Sequence, residues 1–122
     1  MKLYTIINGR QPGMLGGVQA GHAIAEMTFH YAQNDWVKDF FMFGQGPFVF
    51  LKGPNTHEKM QELFLQIADL IEPLEIPIHG FFEPDLNNTM TAISFIVPTP
   101  QELDVKPIHD LFAILDTFHT AR

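Results

Sequence analysis

LGGVQAGHAIAEM (residues 15–27) opens on two glycines and then settles into a helical rhythm, with Gln19 and His22 three residues apart. Before it stand LYTIIN (3–8), an alternating, β-branched run that reads as a strand, and the Gly/Pro-rich loop GRQPGMLGG (9–17). The spacing predicts a helix over about 17–33, with an apolar stripe of Ala20, Ile24, Met27 and Tyr31 flanked by Ala25, Phe29 and Ala32. Its polar stripe is Gln19, His22, Glu26, His30 and Gln33.

Working outward, DWVKDFFMF (35–43) reads as a short second helix that GQGP (44–47) breaks, and FVFLKG (48–53) as a second strand. Thr56 is placed as an N-cap. The helix over 57–72 buries Met60, Leu63, Phe64, Ile67 and Leu70 or Ile71, and turns Glu58, Glu62, Asp69 and Glu72 to solvent. Pro73 ends it. IPIHGFF (76–82) is a third strand, EPDLNN (83–88) a polar loop and TMTAISFIV (89–97) a fourth strand closed by PTP. Pro107 suits the first turn of a last helix, which buries Ile108, Leu111, Phe112, Leu115 and Phe118. Strands and helices alternating in this way imply an α/β sandwich with a largely buried sheet. There is no repeat and no linker, so residues 1–122 are expected to form one domain.

Composition narrows the function. Seven basic against 14 acidic residues give a net charge of −7, which argues against a generic nucleic-acid binder. A local basic patch remains available from Arg10, Lys52 and Lys2, which lie outside the acidic segments. With no cysteine there is neither a disulfide nor a thiolate metal site, in keeping with the cytoplasm. No apolar run is long enough to span a bilayer, and MKLYTIINGR turns polar too soon for a signal peptide. Twelve phenylalanines and six methionines supply a soft, bulky core and material for an exposed contact surface.

The opening glycines do not make a nucleotide loop. The Walker pattern needs Lys and Ser/Thr after its last glycine, and GGVQAG only approaches GxGxxG. Gly16 and Gly17 still permit a backbone to approach a ligand at a helix N-terminus, where free N–H groups favour an anion. His22, Glu26 and His30 share one helical face, but i and i+8 lie about 12 Å apart along the axis, so the three cannot easily share an ion. They read as a solvated polar stripe, and no metal is expected. His57, His109 and His119 read as surface residues, and His79 as a strand histidine with a partner. No Ser-His-Asp signature is present. In FFEPDLNNTMTAISF (81–95) a hairpin brings Glu83 and Asp85 to Thr89 and Thr91 at one edge of the sheet. Pro84, Asp85, Asn87 and Asn88 are equally the residues of a plain turn.

Taken together, Q-x-x-H-A in the first helix (Gln19, His22, Ala23) and an acidic turn leading into T-x-T-A-[IL] with a closing proline resemble the peptidyl-tRNA hydrolase type 2 family, particularly its compact relatives. The resemblance runs from about Leu3 to Pro98. It implies a single-domain three-layer sandwich, a mixed four-stranded sheet with helices on both faces. It also implies hydrolysis of the ester between peptide and tRNA without a cofactor. In that reading Asp85 orients water, Thr89 or Thr91 donates to the developing charge and Gln19 holds the substrate, with Glu83 competing for the aspartate's place. Arg10, His22, Gly16 and Gly17 would help to bind it. One departure is plain: the family's lysine falls on Leu15, which removes a cation useful for phosphate or oxyanion. The competing expectation is a non-catalytic, homodimeric binding or regulatory module on the same fold, which would use Phe40–Phe43 and the acidic helices for contacts.

Overall fold

The computed structural model describes residues 1–11, 13–44 and 46–120. Strand β1 (Lys2–Ile7) leads into helix α1 (Gly13–His30), a short α2 (Asp35–Asp39) and a π-helical turn, Phe40–Gly44. Then follow β2 (Phe48–Lys52), α3 (His57–Ile71), β3 (Ile78–Glu83), β4 (Thr89–Val97), α4 (Lys106–Leu115) and β5 (His119–Thr120). The strands form one mixed sheet in the order β3-β4-β1-β2-β5. β1 and β2 run parallel, and every other neighbouring pair is antiparallel.

The α/β alternation read from the sequence is present, with five strands where four were expected. The fifth is a two-residue bridge in which Leu51 and Lys52 pair with Thr120 and His119. The second correction concerns α1, which begins at Gly13 and ends at His30, four residues earlier than expected at its start. Gly16 and Gly17 therefore lie inside the helix rather than in a loop. The helix's inner face also differs from the expected stripe. Gln19 is buried, Tyr31 lies past the helix end, and Phe29 is 82% exposed.

The helices divide between the two faces of the sheet. α3 and α4 cover one face, where Tyr4, Ile6, Met60, Leu63, Ile67, Ile93, Phe95, Ile108 and Leu111 share the main core. α1 and α2 cover the other through Leu3, Met27, Val37, Phe40 and Ile96, with Ala23, Phe81 and Ala92 beside them. Thr56 caps α3 as expected, its hydroxyl accepting from the Lys59 amide at 3.2 Å.

Parallel neighbours β1 and β2 thus send their following helices to opposite faces. Their carboxyl ends diverge there and open a crevice, the position at which α/β sheets commonly bind ligands. Two short bonds stitch the loops at this point: Gly53 N–H to the Ile7 carbonyl at 2.7 Å and Gly9 N–H to the Pro54 carbonyl at 2.8 Å. Glycine at position 9 lets the loops approach, because a Cβ there would lie 2.9 Å from the Gly53 carbonyl oxygen and would displace the Asn55 side chain.

Candidate functional site

The crevice holds a cleft of about 460 Å³ built from three loops. Asn8, Arg10 and Gln11 come from the β1–α1 connection, Asn55, Thr56, His57 and Glu58 from the start of α3, and Asp85, Leu86, Asn87 and Thr89 from the β3–β4 hairpin. The hairpin's shape follows from its residues. Pro84–Leu86 make one 3-10 turn, and Asn87 and Asn88 both take left-handed backbone angles (φ +56°), which asparagine tolerates better than most residues.

The two acidic residues have different tasks. The Glu83 carboxylate accepts from the Asp85 amide at 3.2 Å and so caps the turn. Asp85 is exposed and lines the cleft. The threonines differ as well. Thr89 lines the cleft, with its hydroxyl donating to the Leu86 carbonyl at 2.5 Å. Thr91 is buried behind it and donates to Gln19 Oε1 at 2.6 Å.

A β-bulge explains that second placement. The β3–β4 register steps from Phe81↔Ala92 to Phe82↔Met90, leaving Thr91 as the extra residue. Met90 packs on the α3 side, and both Ala92 and Thr91 turn toward α1, where Gln19 meets the hydroxyl. Two side chains hold the bulge. Asn8 Nδ2 donates to the Met90 carbonyl at 3.2 Å, and the Met90 amide donates to His57 Nδ1 at 2.9 Å. Asn8 is itself buried and fixed, its Oδ1 accepting from the Arg10 amide at 2.9 Å. With Nδ1 accepting, the neutral His57 ring carries its proton on Nε2 and brings a donor to the cleft.

Arg10, Asp85 and Thr89 therefore share one cleft, and Gln19 and Thr91 form its buried support. His22 is not on the cleft wall. It stacks on Phe81 with ring centroids 4.7 Å apart, on the α1 face of the sheet. Gly16 lies buried against the β1–α1 loop, while Gly17 faces open space. Leu15 is 60% exposed on the first turn of α1 and is not among the residues lining the cleft. Of the three residues available for a basic patch, Arg10 lines the cleft, whereas Lys52 and Lys2 do not. Lys2 starts β1 and lies at the opposite end of the sheet from Asn8. The described residues lining the cleft carry one cation, Arg10, against Glu58 and Asp85.

His57 and Asn8 are the residues that sequence reasoning misses. Their signal is topological: each follows the end of a parallel strand, where the crevice opens. A second hollow of about 570 Å³, between α2 and the loop after α3, is built on structural bonds. There Asn34 caps α2 and donates to the Glu75 carbonyl, and Trp36 Nε1 donates to the Leu74 carbonyl.

Among the described residues no helix is long and apolar enough to cross a membrane. No protein-family model matches the chain, and no curated protein matches it in sequence.

Proposed function

We propose that the protein is a peptidyl-tRNA hydrolase type 2-like hydrolase of acyl esters, with weak turnover on tRNA-linked substrates. The observation that carries this reading is the 2.6 Å bond between Thr91 and Gln19, beside a cleft that Asp85 and Thr89 line. The resemblance assigns these four residues to one site, although 72 positions separate Gln19 from Thr91. A mixed sheet with helices on both faces supports the sandwich that it implies, although the sheet has five strands rather than four.

In this reading the Asp85 carboxylate takes a proton from water as the water oxygen attacks the acyl carbon. Both threonine protons are held within the protein, so the free donor is His57 Nε2–H, which hydrogen-bonds the departing ribose oxygen while that oxygen takes up the proton Asp85 removed from water. Gln19 and Thr91 act as positioning residues by fixing the bulge that sets Met90 and, through it, His57. Arg10 receives a phosphate or the developing oxyanion. With Arg10 as the one cation among the described residues lining the cleft, a tRNA substrate is held weakly, so its turnover is slow and its salt dependence shallow.

The test is release of an N-acetylated amino acid from its tRNA ester, with protein in excess. Wild type should exceed the buffer rate, Arg10→Ala should raise the protein concentration needed for half-maximal rate, and Asp85→Asn should return the rate to background. A wild-type rate equal to buffer would sink the catalytic reading.

One observation favours a second reading, a non-catalytic homodimeric module. Met14, Leu15 and Val18 are all exposed on α1, the first 87% accessible. Equilibrium sedimentation separates the two readings: a dimer that Val18→Glu dissociates, in a protein without esterase activity, supports the module.

A further inference from the structure

On the far part of α1, away from the cleft, three potential metal ligands converge. Glu26 and His30 are one turn apart at i and i+4, the spacing at which helical side chains are neighbours. The third comes from the sheet. His79 on β3 points to the α1 face, like Phe81 two residues on, and its Nε2 lies 2.8 Å from Glu26 Oε1. The His30 ring stacks over the His79 ring, centroids 5.3 Å apart. One ligand atom from each of the three residues lies within 4.8 Å of the others. α1 runs along edge strand β3, so the row His22, Glu26 and His30 meets Phe81 and His79 in turn. The helix alone cannot close a site, because His22 and His30 are too far apart along its axis. The strand supplies the ligand that the helix lacks.

We propose that Glu26, His30 and His79 bind one divalent transition ion of the zinc type. Two imidazoles and one carboxylate suit Zn²⁺ and its neighbours, whereas Mg²⁺ and Ca²⁺ require oxygen shells that this trio does not offer. Tetrahedral coordination with bonds of about 2.0–2.1 Å needs ligand atoms about 3.4 Å apart. Glu26 and His79 are closer than that, so the ion replaces their hydrogen bond and spreads them by about 0.6 Å, while the exposed His30 side chain turns in to complete the set. His30 also ends α1, where the helix dipole favours a cation. Three protein ligands leave the fourth position to water. The site is separate from the cleft, since His79 stands about 13 Å along β3 from Glu83. Its effect is to pin the last turn of α1 to the outer strand of the sheet, and ion binding stabilises the folded chain by mass action.

Calorimetric titration of the chelator-treated full chain with Zn²⁺ tests this, alongside thermal unfolding with and without the ion. One Zn²⁺ per chain is expected, with a rise in unfolding temperature that Mg²⁺ and Ca²⁺ do not reproduce. His30→Ala and His79→Ala should each weaken binding at least about tenfold, and Glu26→Gln should weaken it as well. His109→Ala should leave it unchanged, because His109 sits on α4 with Asp104 at 2.6 Å. His30 is exposed, so its variant folds and decides the matter even if His79→Ala does not. Absence of saturable one-to-one binding, or binding that His30→Ala leaves at full strength, would overturn the proposal.

Discussion

Helices α1 and α3 each follow a parallel strand and each cover one face of the same sheet. Their buried positions follow nearly the same spacing: Gly16, Gln19, Ala20, Ala23 and Met27 in α1, and Met60, Leu63, Ile67, Ala68 and Ile71 in α3. What fills those positions differs. α3 presents large aliphatic side chains inward and acids outward, and its apolar stripe is its packing surface. α1 presents small residues, one glutamine and Met27 inward and leaves Met14, Leu15, Val18 and Phe29 in solvent. Apart from Met27, its large hydrophobic residues do not mark its buried face. A small inner face lets α1 lie close to β4 and β3, near enough for Gln19 to reach Thr91 and for Glu26 and His30 to reach His79. α3 supplies much of the main core, and α1 lies close enough to the sheet for its polar side chains to meet those of β3 and β4.

The largest expected contrast between the two helices is in truncation. Ile67→Ala on α3 should cost roughly 2–5 kcal/mol in denaturant unfolding, as a fully buried side chain leaves a cavity. Leu15→Ala on α1 should stay within about 0.5 kcal/mol of wild type. A Leu15→Ala loss as large as that at Ile67 would show that α1's outer residues are covered in solution.

The next contrast is polar. Thr91→Val leaves Gln19 Oε1 without its donor and should cost about 1–3 kcal/mol. The double variant Gln19→Leu/Thr91→Val should recover part of that loss, because both partners of the bond are then apolar. If the double variant lost the sum of the two single effects, the bond would not be the coupling between α1 and the bulge.

The smallest effect is a difference in sign between adjacent glycines. A Cβ at Gly17 meets nothing within 4 Å, so Gly17→Ala should stabilise by about 0.5–1 kcal/mol through helix propensity. At Gly16 the same atom would lie 2.4 Å from the Gln11 carbonyl oxygen, so Gly16→Ala should destabilise. Thermal melts of the two variants give the signs directly, and equal shifts would contradict the close seat of α1 on its loop.

This contrast also explains how much of the structure is legible in the sequence. α3 and β4 are legible because local signals agree with tertiary packing: Thr56 and Pro73 bracket a regular apolar period, and TMTAISFIV is one apolar run. α1 is misplaced at its start because Gly13, Gly16 and Gly17 carry a loop's composition, although Gly16 is required inside the helix for packing. β5 escapes because two residues become a strand only by pairing with β2. Within the site, the hairpin pattern brings Asp85 to Thr89 and Thr91, and only the resemblance of short motifs ties Gln19 to them. Simple alternation puts Thr89, Thr91 and Ile93 on one face, and the bulge that turns Thr91 toward α1 leaves no mark in the local sequence. His57 has the look of a solvent-facing first-turn residue, yet its Nδ1 accepts a hydrogen bond from the Met90 amide, 33 residues away. The trio Glu26, His30 and His79 is half visible, since helical spacing gives its first pair and only the β3–α1 contact gives the third.

Cleavage of an acyl ester by a carboxylate in the cleft between β1 and β2 is tested most directly by one rate comparison. N-acetylaminoacyl-tRNA hydrolysis is followed at excess protein and low salt for wild type and for Asp85→Asn. Wild type should release the acyl group faster than buffer alone, and Asp85→Asn should lose about 10²–10⁴-fold of any such acceleration, the usual contribution of a positioned general base. A wild-type rate equal to buffer, or an Asp85→Asn rate equal to wild type, would contradict that assignment.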